Sequence, residues 1–352
     1  MIVQHELTVH KPASSGPDPA VLGKMLQLIY GRFAGQTVCL AAKLGIADHV
    51  AAGLTTTHDL AAVLDANPSS LRRFLRALAS YRILAEDTPD SWKLAPAGEL
   101  LRQDVPGSLR DLARLFAAPE HVHTWLALEH SVLTGECAFD HVHGADGWSY
   151  AQEHPEFNKT FNAAMSSIAG SVHQAIARIY DFAGIDLLVD VGGGHGRLMA
   201  HILARFPKMR GIVYDMPHVV NGAETYLAGL GLGDRCQAMA GDFFKSVPAG
   251  ADAYIMTAIL HDWDDDASAL ILRNCRKAIK PSGRVLIGDF VLKPSNEPDF
   301  GKAVDLEMLV MTPSGRERTE SDFRRLLHRC DLRLKDILPL PSGNSILEAV
   351  PA

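Results

Sequence analysis

A cluster of glycines stands between two acidic residues near the middle of the 352-residue chain. An apolar run that contains Asp190 leads into Gly192-Gly-Gly-His-Gly196, and a second apolar run ends at Asp215. The order of strand, tight glycine turn, helix, strand and acid is typical of a site for a nucleotide-like cofactor. The spacing therefore predicts such a site at Gly192, Gly194 and Asp215.

The glycine spacing distinguishes two classes of cofactor. A dinucleotide site requires G-x-G-x-x-G, but the third glycine position holds Arg197 or Met199, depending on where the count starts. The carboxylate of Asp190 would repel a phosphate and favours an amine-bearing ligand. Asp215 is placed to accept hydrogen bonds from ribose hydroxyls. A ligand with a ribose, an amino group and no phosphate is S-adenosylmethionine, which we expect as the cofactor.

The segment Gly241-Asp-Phe-Phe244 follows the third predicted strand of this region. Asp242 can accept a hydrogen bond from an adenine amino group, and Phe243 can lie against the adenine face. An acid followed by two aromatic residues is also typical of a helix cap above core side chains. The glycine cluster upstream favours the ligand-binding interpretation.

A histidine follows the fourth strand, in Ile259-Leu-His-Asp-Trp263. Asp262 is its neighbour, and two later acids, Asp289 and Glu317, are candidates to orient the ring of His261. A histidine oriented by a carboxylate has a fixed tautomer and a raised basicity. That property suits the removal of a proton from a phenol, whose pKa is about 10. Surface ion pairing with the neighbouring arginines is the alternative for Glu317.

The composition limits the class of protein. Hydrophobic residues make up 47% of the chain, charged residues 21%, and the net charge is −7. These values indicate a globular protein of about two domains and disfavour a general nucleic-acid binder. Five scattered cysteines indicate a reducing, cytoplasmic location. We find neither a secretory signal nor an apolar run long enough to span a membrane, so we expect no membrane partner.

The chain divides by pattern into four segments. Residues 1–19 read as a flexible leader, and residues 20–105 as a mostly helical winged-helix domain whose β-wing is formed by 83–85 and 92–94. Residues 106–180 read as a helical connector that contributes to a substrate pocket, with a polar break near 135–147. In residues 181–352 strands alternate with helices, which predicts a mostly parallel, doubly wound sheet. The short link between the last two strands predicts an antiparallel pair.

The winged-helix segment allows two interpretations. Arg72, Arg73 and Arg76 on its second helix would face a DNA groove if the segment bound DNA. If the segment serves packing or dimerisation, the same arginines are solvated. We favour dimerisation, because the whole chain is acidic and no basic wing or tail supports the arginines.

Methionines and histidines elsewhere are less specific. Met165, Met308 and Met311 are core residues or an adaptable lining for a flat aromatic substrate. The pairs His121/His123 and His141/His143 suggest a metal site, but no carboxylate or cysteine clearly completes a ligand set. We therefore expect no metal.

Five motifs together resemble those of one family. They are Leu188-Val-Asp-Val-Gly-Gly-Gly-His-Gly196, Asp215-Met-Pro217, Gly241-Asp-Phe-Phe244, Leu260-His-Asp-Trp263 and Gly315-Arg-Glu-Arg-Thr319. From about residue 20 to the end, the chain resembles small-molecule O-methyltransferases. These include plant caffeate and flavonoid enzymes, hydroxyindole methyltransferase, and bacterial enzymes that modify polyketides and phenazines.

The resemblance implies a fold and an assembly. The C-terminal part would be a Rossmann-like class I methyltransferase domain of the α/β class, with a mostly parallel seven-stranded sheet whose last strand is antiparallel. The N-terminal part would be a mostly helical winged-helix dimerisation domain, and the partner subunit of a homodimer would help to close the substrate pocket.

The resemblance also implies roles for individual residues. His261 would be the general base, flanked by Asp289 and Glu317. The residues implied at the cofactor are Gly192, Gly194, Asp215, Met216, Asp242, Phe243, Phe244 and Thr257. Those implied at the substrate are Phe161, Asn162, Met165, Asp262, Met308 and Met311.

Two positions depart from the plant members of this family. Plant members have a lysine at the position of Thr257, which leaves the role of Thr257 open. They have a glutamate at the position of Asp289. The shorter acid reaches His261 less directly, so Glu317 gains importance.

The expected reaction is methyl transfer from S-adenosylmethionine to an aromatic hydroxyl of a phenol, phenazine or polyketide, with His261 as base. One alternative is hydroxylation or decarboxylation of a polyketide on the same fold, against which the retained His261 argues. Another is a winged-helix transcription regulator whose larger domain senses a metabolite, which rests on the three arginines alone.

Overall fold

The computed structural model describes Gly16, residues 18–294 and residues 296–352. Most of the leader predicted at 1–19 lies outside the described residues. The described residues form two compact units, which are divided in the chain between Gln103 and Asp104.

The first unit is mostly helical. Its elements are α1 (Pro19–Lys43), α2 (Ile46–Ala51), α3 (Thr57–Leu64), α4 (Pro68–Ser80), β1 (Leu84–Thr88), β2 (Ser91–Leu94) and α5 (Pro96–Glu99). The sequence Asn67-Pro68 predicts a helix cap at Asn67. The structure confirms it, because the side chain of Asn67 accepts a hydrogen bond of 3.0 Å from the amide of Ser70 at the start of α4. Gly45, with a φ of +64°, separates α1 from α2.

Helix α4 and the antiparallel pair β1–β2 form the predicted winged-helix outline. Leu71, Leu75 and Leu78 of α4 are buried. The indole of the buried Trp92 donates a hydrogen bond of 3.0 Å to Thr57. These contacts make the wing part of the core of the first unit.

Helix α1 presents a large apolar surface to solvent. It has 25 residues, and Ile29 and Phe33 are 63% and 60% exposed. Its other large exposed side chains are Val21, Leu22, Met25, Leu26, Leu28, Tyr30 and Leu40. Exposed apolar surface on this scale marks a site of association.

The second unit begins with helices. They are α6 (Arg110–Phe116), α7 (Pro119–Leu126), α8 (Leu128–Thr134), α9 (Ala138–His143), α10 (Gly147–Glu153) and α11 (Pro155–Ile179). Helix α9 lies within residues 135–147, where the sequence predicted a polar break, so that prediction was wrong there. The helix is held by the fully buried Phe139 and by the ring of His141, which stacks on His130 at 3.8 Å.

The rest of the second unit alternates strands and helices. The elements are β3 (Leu187–Val191), α12 (Arg197–Arg205), β4 (Arg210–Asp215), α13 (Pro217–Gly229), β5 (Cys236–Ala240), β6 (Ala253–Thr257), α14 (Asp265–Ala278), β7 (Arg284–Asp289), β8 (Val291–Leu292), α15 (Gly301–Met311), β9 (Arg318–Thr319), α16 (Glu320–His328), β10 (Leu332–Pro339) and β11 (Ser345–Pro351).

Seven of these strands form one sheet in the order β10-β11-β7-β6-β3-β4-β5. The five strands from β7 to β5 are parallel, and β11 is antiparallel to both of its neighbours. The predicted fold class is confirmed. The apolar run in the sequence predicts one strand from Val285 to Val291. The structure divides it after Asp289, because Val291 and Leu292 pair with β9 in a separate two-stranded sheet.

The large sheet is covered on both faces, as its run of buried residues requires. In β6, Ile255 packs on one face, and Tyr254 and Met256 pack on the other. Asp190, Asp215, Thr257 and Asp289 lie at or near the carboxyl ends of β3, β4, β6 and β7. Parallel strands bring these four side chains to one edge of the sheet, where ligands of such folds bind.

No helix in the described residues combines the length and the apolar character that crossing a bilayer requires. The five cysteines, all within the described part of the chain, form no disulfide. The expected cytoplasmic location stays a prediction.

Candidate active site

The glycine loop after β3 is tied to the neighbouring strand β4. The amide of Gly192 donates to the carbonyl of Tyr214 at 2.8 Å. Gly192 has a φ of +71°, and a Cβ there would lie 2.4 Å from Cδ1 of Ile259. A side chain at this position would therefore be both strained and blocked.

Asp215 closes the loop from the end of β4. Its carboxylate accepts hydrogen bonds from the amide of Gly194 at 2.9 Å and from the amide of Met216 at 2.6 Å. Each carboxylate oxygen has a second lone pair. Asp215 can thus hold the loop and accept hydrogen bonds from two vicinal hydroxyls of a ribose.

Asp190 lies below the loop and is almost completely buried. Burial raises the pKa of its carboxyl group to about 7, and the charge of Asp215 adds to this effect. Its Oδ2 atom has no hydrogen-bond partner among the described residues. An orphaned buried carboxyl oxygen beside a glycine loop fits a ligand that carries an amino group.

Asp242, Phe243 and Phe244 follow β5. The amide of Phe244 donates to Asp242 at 2.9 Å and lowers the pKa of that carboxyl group, so Asp242 is an ionised acceptor. A Cβ on Gly192 would lie 3.9 Å from Phe243, which places the Phe243 ring beside the loop. The Phe244 ring instead packs edge-to-face on Trp263, at 4.8 Å between centroids.

Asn274 supports this segment and was missed in the sequence. Its amide donates to the carbonyls of Phe243 and Phe244 at 2.8 and 3.0 Å. Asparagine within a helix has no local pattern that predicts such a contact across 31 residues.

The chain turns sharply after β6. Thr257 ends the strand, and its methyl group lies over Gly288, where a Cβ would be 2.7 Å away. Ala258 has a φ of +52°, which is a strained conformation for a residue with a side chain. The turn leads directly to a one-turn 3₁₀ helix, Leu260–Asp262.

His261 is held in this short helix by Glu317. Its Nδ1 lies 2.9 Å from Oε1 of Glu317, whose side chain is completely buried. Because a carboxylate accepts, we assign the hydrogen to Nδ1, which leaves Nε2 able to accept a proton. Nε2 lies 3.6 Å from Asp262, which is too far for a good hydrogen bond.

Three carboxyl groups set the proton affinity of His261. Burial lowers the pKa of His261, but the hydrogen bond that the ring donates to Glu317 and the charges of Asp262 and Asp289 outweigh it and raise the pKa to about 10. Burial raises the pKa of Asp289, and neither of its carboxyl oxygens has a hydrogen-bond partner within the described residues. Glu317 therefore acts on His261 by contact, and Asp289 acts through space.

The expected substrate residues are partly brought together. Phe161 of α11 and Met311 of α15 pack against one aromatic and aliphatic cluster that includes Phe139 and Phe157. Met308 lies one turn before Thr312, whose hydroxyl donates to the Met308 carbonyl at 2.7 Å. Asn162 and Met165 are on the exposed side of α11, where Asn162 donates to Asn158 at 2.7 Å.

The histidine pairs of the helical region are used in local contacts. His121 lies 3.0 Å from Glu307, which also accepts from the indole of Trp125 at 2.6 Å, and His143 lies 3.3 Å from Thr124. Within the described residues, no three His, Cys, Asp or Glu side chains form a group suited to a metal ion. Independence of metal stays a prediction.

The sheet order, with its antiparallel last strand, and the glycine loop closed by an acid on the next strand define a class I methyltransferase fold. The comparisons with known proteins agree. Residues 125–332 match the model described as an O-methyltransferase domain, and residues 26–104 match the O-methyltransferase dimerisation domain. The chain belongs to the S-adenosylmethionine-dependent O-methyltransferase family.

Individual relatives are similar over nearly the whole chain. A phenazine O-methyltransferase of Lysobacter antibioticus is 40% identical over 98% of this chain and 100% of its own. The structure of a methyltransferase in calicheamicin biosynthesis, in its S-adenosylhomocysteine-bound form, is 29% identical with a TM-score of 0.87, covering 96% of this chain and 100% of its own.

A third relative was crystallised with an aromatic compound. It is an O-methyltransferase from neocarzinostatin biosynthesis in complex with S-adenosylhomocysteine and 1,4-dihydroxy-2-naphthoic acid. Its identity to this chain is 31% and its TM-score 0.75, over 91% of this chain and 96% of its own.

Proposed function

We propose that this protein transfers a methyl group from S-adenosylmethionine to an aromatic hydroxyl group of a small molecule, with His261 as the general base. The observation that carries the proposal is the 2.9 Å contact between Nδ1 of His261 and the buried Glu317. The contact orients the ring and leaves Nε2 as the proton acceptor, at the edge of the sheet where the glycine loop lies.

The residues around the loop fit the cofactor. Asp215 would accept from the ribose hydroxyls, Asp190 would balance the amino group, and Asp242 would accept from the adenine amino group while Phe243 lies against the adenine face. Gly192 leaves room for close approach to the backbone. When bound, S-adenosylmethionine supplies a reactive methyl group on a positively charged sulfur.

His261 would take the proton of the acceptor hydroxyl. The pKa of His261, about 10, is close to that of a phenol, about 10, so transfer of the hydroxyl proton to the neutral imidazole changes the free energy little. The neutral form that can act as the base increases as the pH rises towards 10. Glu317 stabilises the imidazolium that results. A base of this kind contributes about 10²–10⁴-fold to a rate, and positioning of the hydroxyl contributes more.

The acceptor is proposed to be a flat aromatic molecule such as a phenol, a phenazine or an aromatic polyketide of secondary metabolism. Phe161 and Met311 share one apolar cluster, and thioether and aromatic side chains adapt to a flat ring. The relatives from phenazine, calicheamicin and neocarzinostatin biosynthesis support this class of substrate.

A homodimer is proposed as the working form. The dimerisation-domain match covers residues 26–104, and α1 exposes Ile29, Phe33 and seven further large apolar side chains to solvent. A second copy of the chain would cover this surface.

The test is a His261→Ala variant assayed with a labelled methyl donor against a panel of phenols, phenazines and polyketide aglycones. We expect cofactor affinity to be retained and turnover to fall by about 10²–10⁴-fold. His328→Ala, at an exposed position at the end of α16, is the matched control. Undiminished methylation by His261→Ala would remove His261 from the base role. A product that gains oxygen or loses carbon dioxide instead of gaining a methyl group would favour the alternative chemistry.

A further inference from the structure

Arg318 is a buried arginine next to Glu317. Only 2% of its surface is exposed. Its carboxylate partner, Asp265, lies 2.9 Å away and is 45% exposed at the side chain. A guanidinium is costly to bury, so the contacts that it makes in the interior are informative.

The interior contacts of Arg318 are with the turn that carries His261. Nη1 donates to the carbonyl of Leu260 at 2.8 Å, and Nη2 donates to the carbonyl of Trp263 at 2.8 Å. These two carbonyls flank His261 on either side. Within the turn, the amide of Trp263 donates to the carbonyl of Leu260 at 3.2 Å, and the planar fork of the arginine joins this carbonyl to that of Trp263.

Ser268 completes the arrangement. Its hydroxyl accepts from Nη2 of Arg318 at 3.1 Å and lies 3.3 Å from the carbonyl of Leu260. The main chain adds a third restraint, since the amide of Arg316 donates to the carbonyl of His261 at 2.7 Å.

Glu317 and Arg318 reach the same histidine from two directions. Successive side chains of an extended segment point to opposite sides, and β9 begins at Arg318. Glu317 contacts the imidazole ring, and Arg318 contacts the backbone on both sides of it. The ring torsion and the backbone of His261 are thereby fixed by adjacent residues.

We propose that Arg318 is a positioning residue for methyl transfer, which holds the turn Leu260–Trp263 so that Nε2 of His261 points at the acceptor hydroxyl. The inference rests on the proposed base role of His261. A base displaced by about 1 Å loses about 10²-fold in rate, so the backbone contacts of Arg318 matter for turnover as well as for folding.

The experiment compares Arg318→Lys with Arg324→Lys, an exposed arginine of α16 that pairs with Glu320. Lysine keeps the charge but cannot span two carbonyls. We expect kcat of Arg318→Lys to fall by about 10- to 10²-fold, with the cofactor dissociation constant changed less than about twofold. Arg324→Lys should match the parent protein. An unchanged kcat in Arg318→Lys would overturn the proposal.

A double-mutant cycle with His261→Ala separates positioning from general stability. If Arg318 acts through His261, Arg318→Lys causes less than about a twofold further loss in the His261→Ala background. The same loss in both backgrounds would indicate a merely structural role and contradict the inference. Full turnover by His261→Ala alone would instead contradict the proposed function.

Ser268→Ala provides a milder variant for the case in which Arg318→Lys does not fold. It removes one partner of Nη2 and keeps the guanidinium. We expect a few-fold loss in kcat that again disappears in the His261→Ala background. Equal kcat for Ser268→Ala and the parent, together with an unfolded Arg318→Lys, would assign Arg318 to folding alone.

Discussion

Glu317 contacts the imidazole of His261 directly, with 2.9 Å between Oε1 and Nδ1. Asp289 is also buried beside this pair, yet its two carboxyl oxygens accept no hydrogen bond from the described residues. The two acids thus influence His261 in different ways, by orientation and charge in one case and by charge alone in the other.

This difference predicts unequal effects of two isosteric substitutions. Glu317→Gln keeps an oxygen that accepts from Nδ1 but removes the charge that stabilises the imidazolium, so kcat should fall by about 10- to 10²-fold. Asp289→Asn should lower kcat by less than about fivefold, because charge acting through space contributes less. Steady-state kinetics with saturating cofactor measure both. A larger loss of kcat in Asp289→Asn than in Glu317→Gln would show that Asp289, and not Glu317, orients His261.

The raised pKa of His261 predicts how stability depends on pH. The pKa is about 10 in the folded protein against an ordinary value of 6.5, so the folded state holds the proton more tightly. The resulting stabilisation is fully present below about pH 6.5 and is lost as the pH rises towards 10. The difference in Tm between the parent and His261→Gln should therefore shrink from pH 6.5 to pH 9.5. A difference that stays constant across this range would contradict the raised pKa.

Close packing at Gly192 predicts a steric cost that a second substitution relieves. Gly192→Ala brings a methyl group within 2.4 Å of Ile259, whereas a Cβ at Gly194, which also has a positive φ, meets nothing within 4 Å. Both alanine variants lose about 1–2 kcal/mol of stability through the positive φ. Gly192→Ala should be the less stable of the two, because only its methyl group clashes with Ile259. Adding Ile259→Val, which removes Cδ1, should reduce the difference in stability between the Gly192→Ala and Gly194→Ala proteins. Denaturant unfolding measures the free energy of unfolding of each variant. Equal stability of the two alanine variants would refute the steric explanation.

The exposed face of α1 predicts that assembly depends on apolar contacts there. Ile29→Asp should convert the proposed dimer to a monomer, because it places a charge in the surface that a partner would cover. Leu133→Asp, at a 75% exposed site on α8, is the control and should leave the mass unchanged. Light scattering after size exclusion gives the mass. Loss of the dimer in both variants would show that the effect is not specific to α1.

Local sequence patterns were sufficient to predict the strands of the large sheet and the edge of the sheet at which a cofactor fits. Alternating apolar runs gave the strands of the large sheet, and the glycine loop with Asp215 gave the edge at which a ligand fits. Boundaries were less well predicted, as at β7, where the strand ends at Asp289. The pairing of Val291 and Leu292 with β9 depends on residues more than twenty positions away, so no local sequence pattern predicts it.

The contacts that orient the site were harder to predict from sequence. His261 and Glu317 were recognised as candidates, but the division of roles between Glu317 and Asp289 depends on side-chain reach in the folded chain. The sequence offers Arg318, one of the arginines beside Glu317, only as a surface ion-pair partner of that acid. The structure instead pairs Arg318 with Asp265 and two carbonyls. Helix α9 was missed because its histidines read as polar, whereas His141 is stacked on His130.

The opposite directions of Glu317 and Arg318 make this segment intolerant to changes in length. Removing or adding one residue between Gly315 and Glu317 would exchange the two sides. An acid would then face the carbonyls of Leu260 and Trp263, and a guanidinium would face the imidazole. Variation among homologues of this chain should therefore appear here as substitutions, while insertions and deletions accumulate in the surrounding loops.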